Sequence, residues 1–377
     1  MDQNNYQENE VKLSSIGRRA PCKYNLTSLV NQSIFLNCIS FKYLPRSNLI
    51  WKLIATLISC FNLYNLYIVL SQLALVKNIQ FKHIFVAFQR SLFAVCFTTI
   101  SAGPLFIDLD SFILAFDSTW RSIILVQGTQ STTIITRELV KVNRQLITMI
   151  LVGTIMLIGF GLVGFTNFDS FIDTSVTFSA IIYTLYLTIE YIYVLRLAVA
   201  LVSTGYQLIE KRLETCSTIG DTNLGHIRLC RQCHNQLVQV TDLIGSTFKH
   251  VFSSYICLFV PQFVIGFYQL TDSSQPLLIS IVSIGWNSVN FFYVVSLSQG
   301  LSQLNTLPQS YYLTLYLTSF GQINDVVKLE IRHYLGYIAN RDTGFRLWGN
   351  FLVTGQLLPK LLVLVFSYLT AAASFLQ

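Results

Sequence analysis

Seven apolar stretches, each long enough to cross a bilayer as a helix, constrain this chain more than any other feature. They lie near 53–76, 84–107, 146–165, 176–202, 251–270, 277–301 and 351–376, and each meets the roughly 20 residues that a spanning helix needs. Basic residues gather on alternate sides of these spans. Lys12, Arg18, Arg19, Lys23, Lys42, Arg46 and Lys52 precede span 1. Arg121, Arg137, Lys141 and Arg144 lie between spans 2 and 3, and Lys211, Arg212, Arg228, Arg231 and Lys249 between spans 4 and 5. Lys328, Arg332, Arg341 and Arg346 lie between spans 6 and 7. The intervening connections 166–175 and 271–276 hold Asp169, Asp173 and Asp272 but no Lys or Arg, and only Lys77 and Lys82 run against the trend. Positive residues stay on the cytoplasmic side. The amino terminus is therefore expected inside and, after seven crossings, Gln377 outside.

Composition agrees with that reading. The chain is 53% hydrophobic and only 11% charged, too few charges to cover a soluble protein of this length. The expected fold class is all-α: a polytopic membrane protein with seven transmembrane helices and a cytoplasmic helical anchor region. Its net charge of +7 falls mainly on the expected cytoplasmic face, where it serves topology and lipid headgroups, not nucleic acid. Residues 1–24 are polar, so span 1 and not a cleaved leader is expected to direct insertion. Asn25 and Asn31 begin glycosylation triplets on the side where no glycan is added. The eight cysteines imply no disulfide framework. Cys230-Arg-Gln-Cys-His234 has the spelling of a c-type haem attachment, and with His226 it could form a metal ligand set. On a cytoplasmic helix the simpler expectation is reduced thiols, with no cofactor and no metal.

Four segments follow. Residues 1–48 form a cytoplasmic segment with a short interfacial helix near 26–41. Residues 49–302 hold helices 1–6, whose cytoplasmic extensions carry apolar residues at helical intervals in 108–145 and 203–250. Residues 303–350 form a cytoplasmic anchor with a helix near 323–338. Residues 351–377 hold span 7, which begins with a break at Gly355 and Pro359, a residue suited to a first helical turn.

The carboxy-terminal run Ser367-Tyr368-Leu369-Thr370-Ala371-Ala372-Ala373-Ser374-Phe375 resembles the signature of the insect gustatory receptors, Thr-Tyr, about five apolar residues, then Gln-Phe. Tyr368 and Phe375 match, while Ser367 replaces Thr and Ser374 replaces Gln. The segment 345–355 and the inverted topology are similar to that family too. The resemblance implies a tetrameric, ligand-gated, non-selective cation channel in the plasma membrane of chemosensory neurons, its subunits identical or mixed. It implies that the last helix lines the pore and that Phe375 forms the outer gate. Independently, Ser367, Thr370 and Ser374 recur at i, i+3 and i+7 as one weakly polar stripe, fit for a water-filled lumen closed by dewetting. Small residues in this pattern equally suit helix packing, and the residues alone leave both open. Lys360, at the inner end of span 7, snorkels to headgroups or rings a pore entrance.

Ionisable groups inside the spans require partners. Arg196 is expected to snorkel from the cytoplasmic end of span 4. Glu190 is six residues from Arg196 and points away from it, so it needs a partner on another span, a ligand or a proton; Arg90 is the basic candidate. The outer halves of spans 2–6 carry rings and hydrogen-bonding groups suited to a small organic molecule. The candidates are Gln89, Arg90, Tyr183, Tyr186, Glu190, Gln262, Phe263, Phe267, Trp286, Asn287 and Asn290. They admit sugars or bitter plant compounds, with a slight preference for the latter. A G-protein-coupled receptor fails the charge-side test. A small-molecule transporter would show broken helices and repeated halves, and an enzyme would show converging acid–base groups.

Overall fold

The computed structural model describes residues 49–75, most of 91–119 and 137–158, and then 171–219, 224–271, 277–321, 323–340 and 343–376. The interfacial helix expected at 26–41, the first part of span 2 with Gln89 and Arg90, and the 120–136 connection lie outside the described residues. The named elements are α1 (Leu49–Leu75), α2 (Gly103–Phe106), α3 (Phe171–Ile219), α4 (Leu224–Thr271) and α5 (Leu277–Thr306). After a 3-10 turn at Leu307–Gln309 come α6 (Tyr312–Thr318), α7 (Asp325–Asn340), a hairpin of β1 (Arg346–Leu347) and β2 (Phe351–Leu352), and α8 (Leu357–Leu376). Further helical residues lie within 91–101, 111–119 and 137–158.

Three of the described helices are long and apolar enough to cross a membrane, through Lys52–Ser71, Ser179–Thr215 and Leu224–Val264. They differ in depth. Only 17% of the apolar window of α1 is buried, against 83% for α3, so α3 is the axle of the fold and α1 lies at its rim. A hydrogen bond between the Ser59 and Ser101 hydroxyls (3.0 Å) ties α1 to the helical residues before α2, as small polar groups do between membrane helices.

Helices α3 and α4, of 49 and 48 residues, run unbroken for about 70 Å at 1.5 Å per residue. The hydrocarbon core takes up only about 30 Å of that. The remainder keeps its helical form because its apolar side continues in register. On α4, Ile227, Cys230, His234, Leu237, Thr241, Ile244 and Phe248 are all buried, a seam of three- and four-residue steps. On α3, Tyr206, Ile209 and Leu213 extend the same pattern. Helix α7 answers with Val327, Glu330, Ile331, Tyr334, Leu335 and Ile338. The Glu330 carboxylate forms ion pairs with Arg231 (2.9 Å) and Arg228 (3.7 Å), which fixes the register of α7 on α4.

A polar chain runs through this seam. His234 Nδ1 meets the Tyr311 hydroxyl, Tyr311 meets the Tyr334 hydroxyl at 2.8 Å, and Tyr334 donates to the Cys230 carbonyl at 3.2 Å. Proton counting sets its direction. Tyr334 spends its one proton on Cys230, so Tyr311 must donate to Tyr334, and His234 Nδ1–H must donate to Tyr311. The chain leaves α4, crosses the start of α6 and α7, and returns to the same turn of α4. Tyr206 and Tyr337 enclose His234 with their rings edge-on to it, at centroid distances of 5.7 and 5.6 Å. Burial holds the Tyr311 and Tyr334 hydroxyls well above their ordinary pKa, so both stay protonated. Cys230 and Cys233 are buried in the same seam and form no disulfide among the described residues.

The all-α expectation meets one exception, the hairpin between α7 and α8. Arg346 pairs with Leu352 and Leu347 with Phe351. Its tip turns on positive φ at Trp348 (48°) and Gly349 (85°), uncommon for a bulky residue such as Trp. The Trp348 N–H donates to Ser253 Oγ (3.0 Å), and the fully buried Phe345 packs its ring 6.0 Å from Phe252. Gly344 has φ 143°, and a Cβ there would press on Leu352 and Asn305. The hairpin is thereby pinned to α4, and α8 starts from that pinned point. Pro359 sits in the first turn of α8, where its missing N–H costs nothing.

Candidate ligand site and pore helix

Helices α4 and α5 carry most of the expected ligand residues in the membrane half. Pro261 lies inside α4 and cannot donate to the carbonyl one turn earlier, which softens the helix there. The next residue, Gln262, is buried, and its Nε2 has no hydrogen-bond partner among the described residues. Phe263 packs against Phe259 (4.8 Å), Phe291 (5.9 Å) and Phe267 (6.4 Å), a ring ladder between the two helices. Asn290 is buried and accepts from the Tyr255 hydroxyl at 3.1 Å. The Asn287 amide lies against Gly266, where any Cβ would overlap it, so this glycine is what lets α5 present an amide to α4. Gln262, Phe263, Phe267, Asn287 and Asn290 thus belong to one α4–α5 seam. The side chain of Trp286 lies outside the described ones.

Helix α3 carries Tyr183, Tyr186 and Glu190. Tyr183 and Glu190 are buried. Tyr186 stands one turn earlier on the same helix, beside the Glu190 carboxyl. The carboxyl oxygen Oε2 is buried with no hydrogen-bond partner among the described residues. The snorkelling expected of Arg196 is corrected. Its Nε donates to Ser296 Oγ on α5 at 3.1 Å and its stem lies beside Gly300, so it crosses to the neighbouring helix instead of snorkelling. Sequence reasoning missed Tyr255 and Tyr293, whose hydroxyl donates to the Met149 carbonyl (3.1 Å). The signal available was a tyrosine amid an apolar run, which requires an acceptor when buried.

On α8, the side carrying Leu358, Leu361, Val365 and Leu369 packs into the hydrophobic core. The rest is uncovered. Val363, Phe366 and Tyr368 are 65%, 63% and 56% exposed, and Ser367, Thr370 and Lys360 are exposed as well. The hydroxyls of Ser367 and Thr370 back-bond to the carbonyls of Val363 and Phe366 (2.8 and 2.9 Å), which leaves their oxygens able to accept from water. The side chains of Ser374 and Phe375 lie outside the described ones.

A cavity of about 730 Å3 opens elsewhere, between α2, the 111–119 helical stretch and the middle of α4. None of the expected ligand residues lines it.

No protein-family model matches the sequence, and no curated protein matches it either. Solved structures do. The olfactory receptor OR5 of the insect Machilis hrabei superposes over 98% of this chain and 99% of its own, with a TM-score of 0.66 at 10% identity. The same receptor in complex with eugenol superposes over 99% of this chain and 100% of its own, with a TM-score of 0.69 at 11% identity. A likeness of this extent at such low identity is one of backbone architecture. From its first helix to its last, the chain has the fold of an insect olfactory receptor.

Proposed function

We propose that this chain is a chemoreceptor subunit of the gustatory type. Four copies, identical or mixed, would form a ligand-gated non-selective cation channel in the plasma membrane of chemosensory neurons. The observation that carries the proposal is the exposure of α8, in a chain whose fold matches an insect olfactory receptor end to end. A final helix with one face in the subunit core and its weakly polar stripe uncovered suits a shared central pore. Ser367, Tyr368, Thr370 and Ser374 line that pore, Phe375 closes it by dewetting, and Lys360 rings its inner mouth. The four segments bounded at 48, 302 and 350 act as amino-terminal segment, membrane body, cytoplasmic anchor and pore helix.

The ligand is a small soluble organic molecule, with bitter plant compounds preferred over sugars. The similar olfactory receptor binds eugenol, a small methoxyphenol. The ring ladder of Phe263 and Phe267, with Gln262, Asn287 and Asn290 along it and Tyr183, Tyr186, Glu190 and Trp286 on the flanking helices, suits a ligand that is mostly ring. Gln89 and Arg90 complete the set from span 2.

Whole-cell recording in insect cells tests this directly. Cells expressing the chain with a tag after Gln377 should stain without permeabilisation and pass tastant-evoked cation current while G proteins are inhibited. Staining only after permeabilisation, or current that disappears with G-protein inhibition, would favour a receptor of the G-protein-coupled type.

A further inference from the structure

The 730 Å3 cavity has a position and a polarity that the channel reading does not use. Its floor is apolar, built from Phe106, Ile107 and Phe112, while Thr247, Lys249 and His250 stand on the α4 side. Lys249 is the last Lys or Arg on α4: from Val251 to Thr271 the helix carries no charged side chain. On the facing wall, 91–107 is likewise free of charge. The cavity therefore straddles the level at which both walls pass from hydrocarbon to headgroups. Its apolar edge continues outward through Phe106, 83% exposed, and Leu114, 67% exposed, onto the surface that faces lipid tails.

Among the described residues neither Lys249 nor His250 has an ion-pair or hydrogen-bond partner, although Lys249 is half-buried. A half-buried ammonium without a partner beside an apolar floor suits an amphiphile with a negative head. The described acid on the same face of α4 is Asp242, seven residues earlier, roughly 10 Å along the helix and about one Debye length away. Asp108 and Asp110 lie outside the described residues.

We infer that this cavity is a binding site for one anionic phospholipid of the leaflet on the side of the α3–α4 connection. The lipid phosphate is held by Lys249, His250 and Thr247, and one acyl chain lies over Phe106, Ile107 and Phe112. The site rests on the membrane fold alone and not on channel activity, so the readout is bound lipid.

The test uses the full chain purified in mild detergent and mixed with micelles carrying phosphatidylserine or phosphatidylcholine, with retained lipid measured by native mass spectrometry. Wild type should retain phosphatidylserine preferentially. Lys249→Gln should lower that preference about fivefold, the value of one basic side chain at an anionic surface, and Lys249→Arg should keep it. Ala115→Trp, which fills the lining from the wall opposite α4, should remove both lipids while elution stays monodisperse. Equal retention of the two lipids by wild type, or a preference that survives Lys249→Gln, would overturn the site. So would displacement of the lipid by excess inorganic phosphate, which would make the free anion the ligand.

Discussion

Removing the Tyr334 hydroxyl tests the proton-counted chain between α4 and α7. Tyr334 is fully buried, and its hydroxyl accepts from Tyr311 and donates to the Cys230 carbonyl. In Tyr334→Phe the Tyr311 proton loses its acceptor in a dry site, at a cost of about 1–3 kcal/mol. The Cys230 carbonyl is spared, because it keeps its helical bond from the His234 amide one turn on. In Tyr311→Phe the loss falls on His234 Nδ1–H instead, and the cost is of the same order. The double variant cannot lose the Tyr311–Tyr334 bond twice, so its cost should fall short of the sum by about 1 kcal/mol. An unfolding entropy of about 2.1 cal/mol/K per residue gives roughly 1 °C per kcal/mol for a chain of this size. Each single variant should therefore lower the apparent melting temperature by roughly 1–4 °C in fluorescence-detected chromatography. Urea titration of the full chain in detergent would supply the coupling energy. Additive single and double effects, within about 0.5 kcal/mol, would refute the directional chain.

Three further outcomes are expected. Both tyrosines hold folded pKa values raised well above 10.0, so the unfolded chain releases these protons first as pH rises. Their contribution is complete below about pH 10 and declines above it; melting curves taken across that range should show a shallower alkaline decline in the Tyr311→Phe/Tyr334→Phe variant than in wild type. Gly266→Ala puts a methyl group onto the Asn287 amide and should destabilise the α4–α5 seam by about 1–3 kcal/mol, seen as a lower melting temperature and a weaker ligand response; an unshifted melt would mean the seam yields freely. Phe375→Ala should raise resting current in recordings without ligand, and an unchanged closed state would remove Phe375 from the gate.

The parts legible in the sequence are those that depend on one helix at a time. The apolar runs, the helical spacing that continues past the membrane on α3 and α4, and the break before Pro359 are all properties of contiguous residues. The partner of Arg196 is Ser296, a hundred residues away, and that of His234 is Tyr311, 77 residues away. No spacing rule links such pairs, because tertiary packing alone brings them together. Glu190 illustrates the opposite case: Tyr186 stands one turn away on the same helix, a neutral phenol that reasoning about charge pairs does not consider. The hairpin escaped notice because two-residue strands have no periodicity, and its turn places Trp348 in a conformation that sequence preferences assign to glycine or asparagine. On α8 the polar stripe was visible, but the division between packed and uncovered faces needed the neighbouring helices.

The unequal stiffness of the two longest helices has a mechanical meaning. Helix α3 contains no proline along its 49 residues, whereas α4, though continuous, carries Pro261 at the level of the ring ladder. A stiff rod and a softened rod, side by side and joined at their far ends where Tyr206 of α3 packs on His234 of α4 and on Tyr311, form a linkage. A tilt of about 3° in α3 at the bilayer centre swings its far end by roughly 2 Å over a lever arm of about 40 Å. Its neighbour can absorb the same disturbance at the softened turn. The difference would appear as shear where the hairpin tip grips Ser253, the footing from which α8 rises.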